Sequence, residues 1–300
     1  MKSQDEKFGD GEAHVPTTSG SSSVNADFVG SDGFTDDYFA FEQSTAEVEK
    51  VPFVGDKEPI SALAAEYESG SPILLEKIKV LGEQYAAIRR TRGDGNCFFR
   101  SFMFSYLEHL LETQDKVEVE RLKAKVEQCR RTLQDLGYPD LTFEDFFSLF
   151  LEQLNDVLQE SEALISHDTL IERSRDQSVS DYVVMFFRFV TTGEIRRRSE
   201  FFEPFILGLS NLAVDQFCKS SVEPMGEESD HVHITALSDA LGVPIRVVYL
   251  DRSSCDASGI TVNHHDFTPV TDSLAGNSPS QDPFISLLYR PGHYDILYRK

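Results

Sequence analysis

A tight turn, Gly93-Asp94-Gly95-Asn96, separates a short strand-like stretch, Ala87-Ile88-Arg89-Arg90-Thr91, from a long apolar run that begins at Cys97. After Cys97, apolar residues recur at Phe98, Phe102, Tyr106 and Leu110, with Phe99, Met103, Leu107 and Leu111 beside them. That spacing predicts a buried helix, and the glycine turn before it predicts a break in the chain's direction. The chain must pass from strand to helix within a few residues and carry a cysteine into the helix's first turn. A helix N-terminus presents unpaired N–H groups and a partial positive charge, which favour a thiolate. The same N–H groups can bind the oxyanion of an attacked carbonyl. A plainer reading competes, because free cysteine is among the most buried residue types and packs as a small hydrophobe. Local layout leaves the two readings balanced until a base is found.

Composition bounds the rest. The chain has 300 residues, is 40% hydrophobic and carries a formal net charge of -23. That length allows one large domain or two small ones. The charge disfavours nucleic acid and anionic membranes as partners and suits a basic protein. The 4 cysteines, Cys97, Cys129, Cys218 and Cys255, form no CxxC pair, so no structural zinc is expected. Met1-Lys2-Ser3-Gln4-Asp5-Glu6 has no apolar core of a secretory signal, and runs such as Val183-Val184-Met185-Phe186-Phe187 are too short to span a bilayer. The expectation is a soluble intracellular protein with reduced thiols.

Residues 1–51 are rich in Ser, Thr, Gly, Asp and Glu without sustained period and read as a disordered acidic tail. Aromatics around Phe34, Tyr38, Phe39 and Phe41 leave room for a short docking segment. Residues 52–300 read as one domain. Helical spacing covers Ile60–Tyr67 and Ile73–Tyr85. A charged amphipathic helix runs from Val117 to Leu136 and ends at Gly137. Thr142-Phe143-Glu144-Asp145 resembles a capping box opening a helix through Leu158, and Ser180-Asp181 opens another through Phe189. A further helix covers His233–Leu241, closed by Gly242 and Pro244. Strands are predicted at Ile245–Leu250, Phe284–Tyr289 and Tyr294–Tyr298, the last two joined at Pro291-Gly292. Residues 252–282 read as a long polar surface excursion.

A cysteine nucleophile needs a base, normally histidine, and the chain has 8. His14 lies in the tail, His109 is three turns along the helix from Cys97, and His167 reads as a surface residue. The pairs His231/His233 and His264-His265 lack matching cysteine or carboxylate spacing for a metal and suit capping or surface roles better. His293 follows the Pro291-Gly292 turn, and Asp295 stands two positions on. In a strand those two residues share a face, so Asp295 can hold one imidazole nitrogen and leave the other for the thiol, the orienting role in a catalytic triad. A turn histidine beside a strand-edge aspartate fits the spacing equally well.

Taken together, four blocks resemble the otubain subfamily of the ovarian-tumour (OTU) deubiquitinating cysteine proteases: Arg92-Gly93-Asp94-Gly95-Asn96-Cys97-Phe98-Phe99-Arg100; Glu223-Pro224-Met225; Ser229-Asp230-His231-Val232-His233-Ile234; and Tyr289-Arg290-Pro291-Gly292-His293-Tyr294-Asp295-Ile296-Leu297-Tyr298. The likeness runs from about residue 60 to the C-terminus and leaves out the tail. It implies a papain-like α/β (α+β) fold, with a small twisted sheet between helical lobes and a helix-rich middle. It implies a thiol protease that hydrolyses ubiquitin–lysine isopeptide bonds in poly-ubiquitin chains through a thioester. Carried over by position, Cys97 is the nucleophile, His293 the base and then the acid, and Asp295 the orienter of His293. Asp94 matches the family's aspartate in the nucleophile loop and is expected to shape that loop, although Asp-Gly is also a plain turn pair. The resemblance implies no metal or organic cofactor. Its expected partners are ubiquitin chains and ubiquitin-conjugating enzymes, with no nucleic acid and no membrane, for a monomer in the cytoplasm and nucleus. An alternative is a binding module that restrains a conjugating enzyme without cleavage. A redox-sensing thiol is a weaker third reading, since no resolving cysteine stands near Cys97.

Overall fold

The computed structural model describes residues 51–68, 70–158, 165–252, 260–270 and 282–300. The predicted tail, residues 1–50 of the 1–51 span, lies outside them, as do Cys255 and much of the 252–282 excursion. The described residues fall within one compact unit, Ser44–Lys300.

Strand β1 (Val54–Pro59) leads through α1 (Ser61–Tyr67) and α2 (Pro72–Gln84) to β2 (Tyr85–Thr91). Then come the helices α3 (Cys97–Thr113), α4 (Lys116–Asp135), α5 (Asp140–Asp156), α6 (His167–Arg175), α7 (Gln177–Arg197) and α8 (Ser199–Ser210). A short α9 (Val214–Phe217) continues into a π-helical turn, Cys218–Val222, before α10 (His231–Leu241). The chain closes with β3 (Ile245–Tyr249), β4 (His264–Phe267), β5 (Ile285–Arg290) and β6 (His293–Arg299).

The strands form one six-stranded sheet in the order β1-β2-β6-β5-β3-β4. Only β3 and β5 run parallel; the other neighbouring pairs are antiparallel. Period-two alternation gives the sheet two apolar faces. Ile245, Val247, Ile285, Leu287, Tyr294 and Ile296 join the large core built by α3, α4, α5 and α7. Ile88, Val248, Leu288 and Leu297 pack on the opposite side with Leu63 of α1 and Leu74, Ile78 and Leu81 of α2. The sheet between helical lobes is the architecture the resemblance implied.

Local readings differ from the structure at several ends. Thr142 does not cap a helix: α5 starts at Asp140 after Pro139, and the Thr142 N–H donates to the Pro139 carbonyl. Proline's fixed φ supplies the extended entry there. Helix α7 begins at Gln177, capped by the Asp176 side chain, which accepts from the Val179 N–H, and continues eight residues past Phe189 because Thr191, Thr192 and Ile195 are buried too. The 252–282 excursion contains β4, whose His264–Phe267 backbone pairs with β3. Its polar alternation hid an edge strand with one wet face. Strand β1 also went unread, because Asp56, Lys57 and Glu58 interrupt its apolar pattern.

Candidate active site

The nucleophile loop is assembled from polar contacts made by residues that flank it. Strand β2 ends at Thr91 and α3 starts at Cys97. Between them the Asn96 N–H donates to Asp94 Oδ1 (3.1 Å), closing an Asx-type turn. Arg100, one turn into α3, donates to both Asp94 carboxylate oxygens, and also to Asp181 Oδ1 (3.1 Å) and Ser180 Oγ (2.9 Å). Asp94 therefore sits under the loop and shapes it.

Gly95 is required at its position. It takes φ +76°, and a Cβ there would lie 1.8 Å from the Gly226 carbonyl oxygen. The close approach is held by Asn96, whose Oδ1 accepts from the Gly226 N–H (2.9 Å) and from Arg188 Nη2 (2.7 Å). With that oxygen committed, Asn96 makes no side-chain cap on α3. The Asp94 N–H donates to the Arg92 carbonyl and the Asn96 N–H to Asp94. In the loop this leaves the Gly95 and Cys97 N–H groups to serve an oxyanion.

His293 opens β6 immediately after the Pro291-Gly292 turn. Gly292 takes φ +73°, and a Cβ there would press on Glu228 Oε1 at 3.3 Å. His293 and Asp295 share a face of β6, and Asp295 Oδ1 lies 2.9 Å from His293 Nε2. Asp295 Oδ1 also accepts from the Thr91 N–H (3.0 Å), and its Oδ2 from Arg290 Nη2 (2.6 Å). Both His293 and Asp295 are buried. The Cys97 side chain favours the charged form of the same imidazole; with Nε2 committed to Asp295, Nδ1 is the nitrogen left for a thiol.

Burial would lower the His293 pKa, but the charge of Asp295, the hydrogen bond to it and the Cys97 side chain reverse that and push it up to about 10. For Asp295, burial works toward a raised pKa, and Arg290, His293 and Arg90 outweigh it and hold the carboxyl well below the usual range. The imidazolium–carboxylate pair is the dominant state at neutral pH. The stability it contributes is complete below the unfolded histidine value of 6.5 and is lost as pH rises through about 10. Burial pushes the Cys129 and Cys218 thiols up to about 12, the behaviour of packed, inert sulfur.

The structure brings Cys97, His293 and Asp295 together and ties Asp94 to Arg100, one turn past Cys97. Cys97 opens on a cleft of about 310 Å³, walled by Glu228, His231, Tyr249, Tyr289, Gly292 and Tyr294. The remaining described histidines have other duties. His109 stacks on Phe284 at 4.0 Å. His167 is exposed, as expected, and places Nε2 2.6 Å from buried Glu108 Oε1. His231 Nε2 meets the Tyr249 hydroxyl at 2.7 Å. His233 is buried and completes a capping box with Asp230 at the start of α10. His264 and His265 lie on β4.

Sequence reasoning passed over Arg188, which is fully buried on α7. It donates to the carbonyls of Val222 (2.9 Å), Glu227 (2.8 Å) and Gly95 (3.2 Å) as well as to Asn96, and so ties the 222–228 segment to the nucleophile loop. A signal existed. Arg188 is a lone charge in the run Val183–Phe189, and a charge in an apolar helix needs buried partners.

The otubain peptidase family (Peptidase C65) matches residues 46–299. The "OVARIAN TUMOR DOMAIN-containing deubiquitinating enzyme 1" of Arabidopsis thaliana is 70% identical over 279 residues, which cover 93% of this chain and 90% of that protein. The human "Ubiquitin thioesterase OTUB1" is 42% identical over 248 residues, 83% of each chain. A solved "ceOTUB1 ubiquitin aldehyde UBC13~Ub complex" superposes with a TM-score of 0.72 at 33% identity, covering 88% of this chain and 98% of that one. A related complex with UBCH5B~Ub gives a TM-score of 0.73 at the same identity and coverage. With a family match over most of its length and relatives of 70% and 42% identity, the chain belongs to the otubain family of deubiquitinating thiol proteases.

Proposed function

We propose that Cys97, His293 and Asp295 carry out hydrolysis of the isopeptide bond between ubiquitin's C-terminal glycine and a lysine in poly-ubiquitin chains. The observation that carries this reading is the 2.9 Å contact between His293 Nε2 and Asp295 Oδ1 on an imidazole whose charge the Cys97 side chain also favours. Cys97 attacks the carbonyl carbon as the thiolate while His293 holds the proton. The Gly95 and Cys97 N–H groups receive the oxyanion. His293 gives its proton to the departing lysine amine, then takes one from the water that hydrolyses the thioester. Glu228 on the cleft wall and the chain's net charge of -23 suit a basic tail entering the cleft.

Asp295→Asn tests the assignment. An amide cannot balance an imidazolium and favours the wrong tautomer, so kcat for di-ubiquitin should fall by about a hundredfold or more. Melting is followed in parallel, because Asp295 also binds Arg290 and Thr91. A folded variant with wild-type turnover would mean that another group orients His293.

A second activity is favoured by the solved complexes, which hold relatives together with a ubiquitin-charged conjugating enzyme. We propose that this chain also binds such enzymes and restrains chain synthesis without cleavage. The cleavage-dead Cys97→Ser protein should slow chain assembly in a reconstituted reaction; undiminished synthesis at saturating protein rejects this. We further propose a cytoplasmic and nuclear location, which the free thiols of Cys97, Cys129 and Cys218 support.

A further inference from the structure

Behind Asp295 the charges alternate outward to solvent. Asp295 is fully buried, and its Oδ2 accepts from Arg290 Nη2 at 2.6 Å while Arg90 Nη1 stands 3.8 Å away. Both arginines are then gripped by one carboxylate on α1. Glu66 Oε1 receives Arg90 Nη2 at 2.5 Å, and Oε2 receives Arg290 Nη1 at 3.1 Å. Arg90 also faces Glu58 of β1 at 3.7 Å. The Tyr67 side chain of α1 also favours the charged form of Arg290. On the other side, Asp295 Oδ1 holds His293 and the Thr91 N–H, and Cys97 completes the set. The two carboxylate oxygens are thereby divided: Oδ2 toward the arginines, Oδ1 toward the imidazole.

We propose that Arg290 and Glu66 are positioning residues for cleavage. Arg290 pins the Asp295 carboxylate so that Oδ1 alone serves His293, and Glu66 offsets the positive charge that the two arginines place behind it. The inference rests on Asp295 being the orienter of His293. It also ties α1, outside the nucleophile and histidine motifs, to the strength of the base. The physical logic is Coulombic. Each arginine competes with the imidazolium for the same carboxylate, so the network sets how readily His293 gives up its proton. A base beside a buried carboxylate needs such a counterweight if it is to release its proton.

The two residues act in opposite directions, which a merely structural ion pair would not do. Arg290→Gln removes a cation behind Asp295. The His293 titration should then rise by about one pH unit, and kcat at neutral pH should fall about tenfold with KM within about twofold. Glu66→Gln leaves both arginines uncompensated and should lower the titration by a few tenths of a unit. Arg290→Lys keeps the charge without the fork that bridges two carboxylates, and should restore the titration but not all of kcat.

The readouts are a histidine NMR titration of the full chain and the pH profile for cleavage of a fluorogenic ubiquitin C-terminal amide. Titrations that move the same way in both glutamine variants, or do not move, overturn the proposal. If Arg290→Gln fails to fold, Glu66→Gln decides alone, since its side chain is 44% exposed. The NMR titration needs no ubiquitin, so a wild-type chain that cleaves nothing would reject the cleavage assignment while His293 was still being read.

Discussion

Cys97→Ser protein is expected to cleave no detectable di-ubiquitin, a loss of about ten-thousandfold or more, while still binding ubiquitin. A serine hydroxyl does not give its proton to an imidazole at rest as a thiol can, so the His293 arrangement around Asp295 has no anion to support. The substitution changes one buried atom at the head of α3 and leaves the cleft walls formed by Glu228, Tyr249 and Tyr289 in place. Binding and chemistry should separate. A gel assay on the eight di-ubiquitin linkages and a ubiquitin titration on the same preparation measure both. Cleavage at the wild-type rate would sink the nucleophile assignment, and the same panel on wild-type protein shows which linkage the surrounding surface presents.

Arg188→Met should cost about 3–5 kcal/mol of stability and most of the activity. Methionine fills much of the volume and relieves the cost of burying a cation, which already lowers the Arg188 pKa to about 10. It supplies no donors, however. The oxygens of Val222, Gly95, Asn96 and Glu227 would lose the guanidinium that now reaches them at 2.7–3.2 Å. Each orphaned buried acceptor is worth about 1–3 kcal/mol, and the total is less than additive. The ring of Phe99 would also lose a guanidinium 4.9 Å from its centroid. Urea unfolding should show the loss directly, with melting lowered by about 10 °C. A melting point within a degree of wild type would show that Arg188 does not hold the 222–228 wall to the nucleophile loop.

Much of the site was visible as local pattern. The Gly93-Asp94-Gly95-Asn96 turn before an apolar helix placed Cys97 at a helix start, where the structure has it. The two-position spacing of His293 and Asp295 placed them on one strand face, and they meet there. Both readings needed only the short-range periods of strand and helix. Readings failed where the deciding partner was distant. Thr142 had the letters of a cap but not the position, because Pro139 had already turned the chain. Strand β4 had no apolar alternation, because it is an edge whose pairing with β3 is made by backbone.

What the sequence determined by itself was the chemistry: a cysteine at a helix N-terminus, a histidine after a tight turn and a carboxylate two residues on. These follow from periodicity and turn geometry, which act within a few residues. Only the tertiary structure decided that they meet. Strands β2 and β6 pair antiparallel, so the C-terminal end of one lies beside the N-terminal start of the other. That brings the turn before Cys97 next to His293 and lets the Thr91 N–H reach an Asp295 carboxylate 204 positions away. The strength of the base was decided there as well. A buried carboxylate takes its charge balance from whatever surrounds it, and Arg290, Arg90 and Glu66 come to Asp295 from two neighbouring strands and a helix. Electrostatic coupling in a low-dielectric interior depends on distance in space, and no spacing along the chain encodes it.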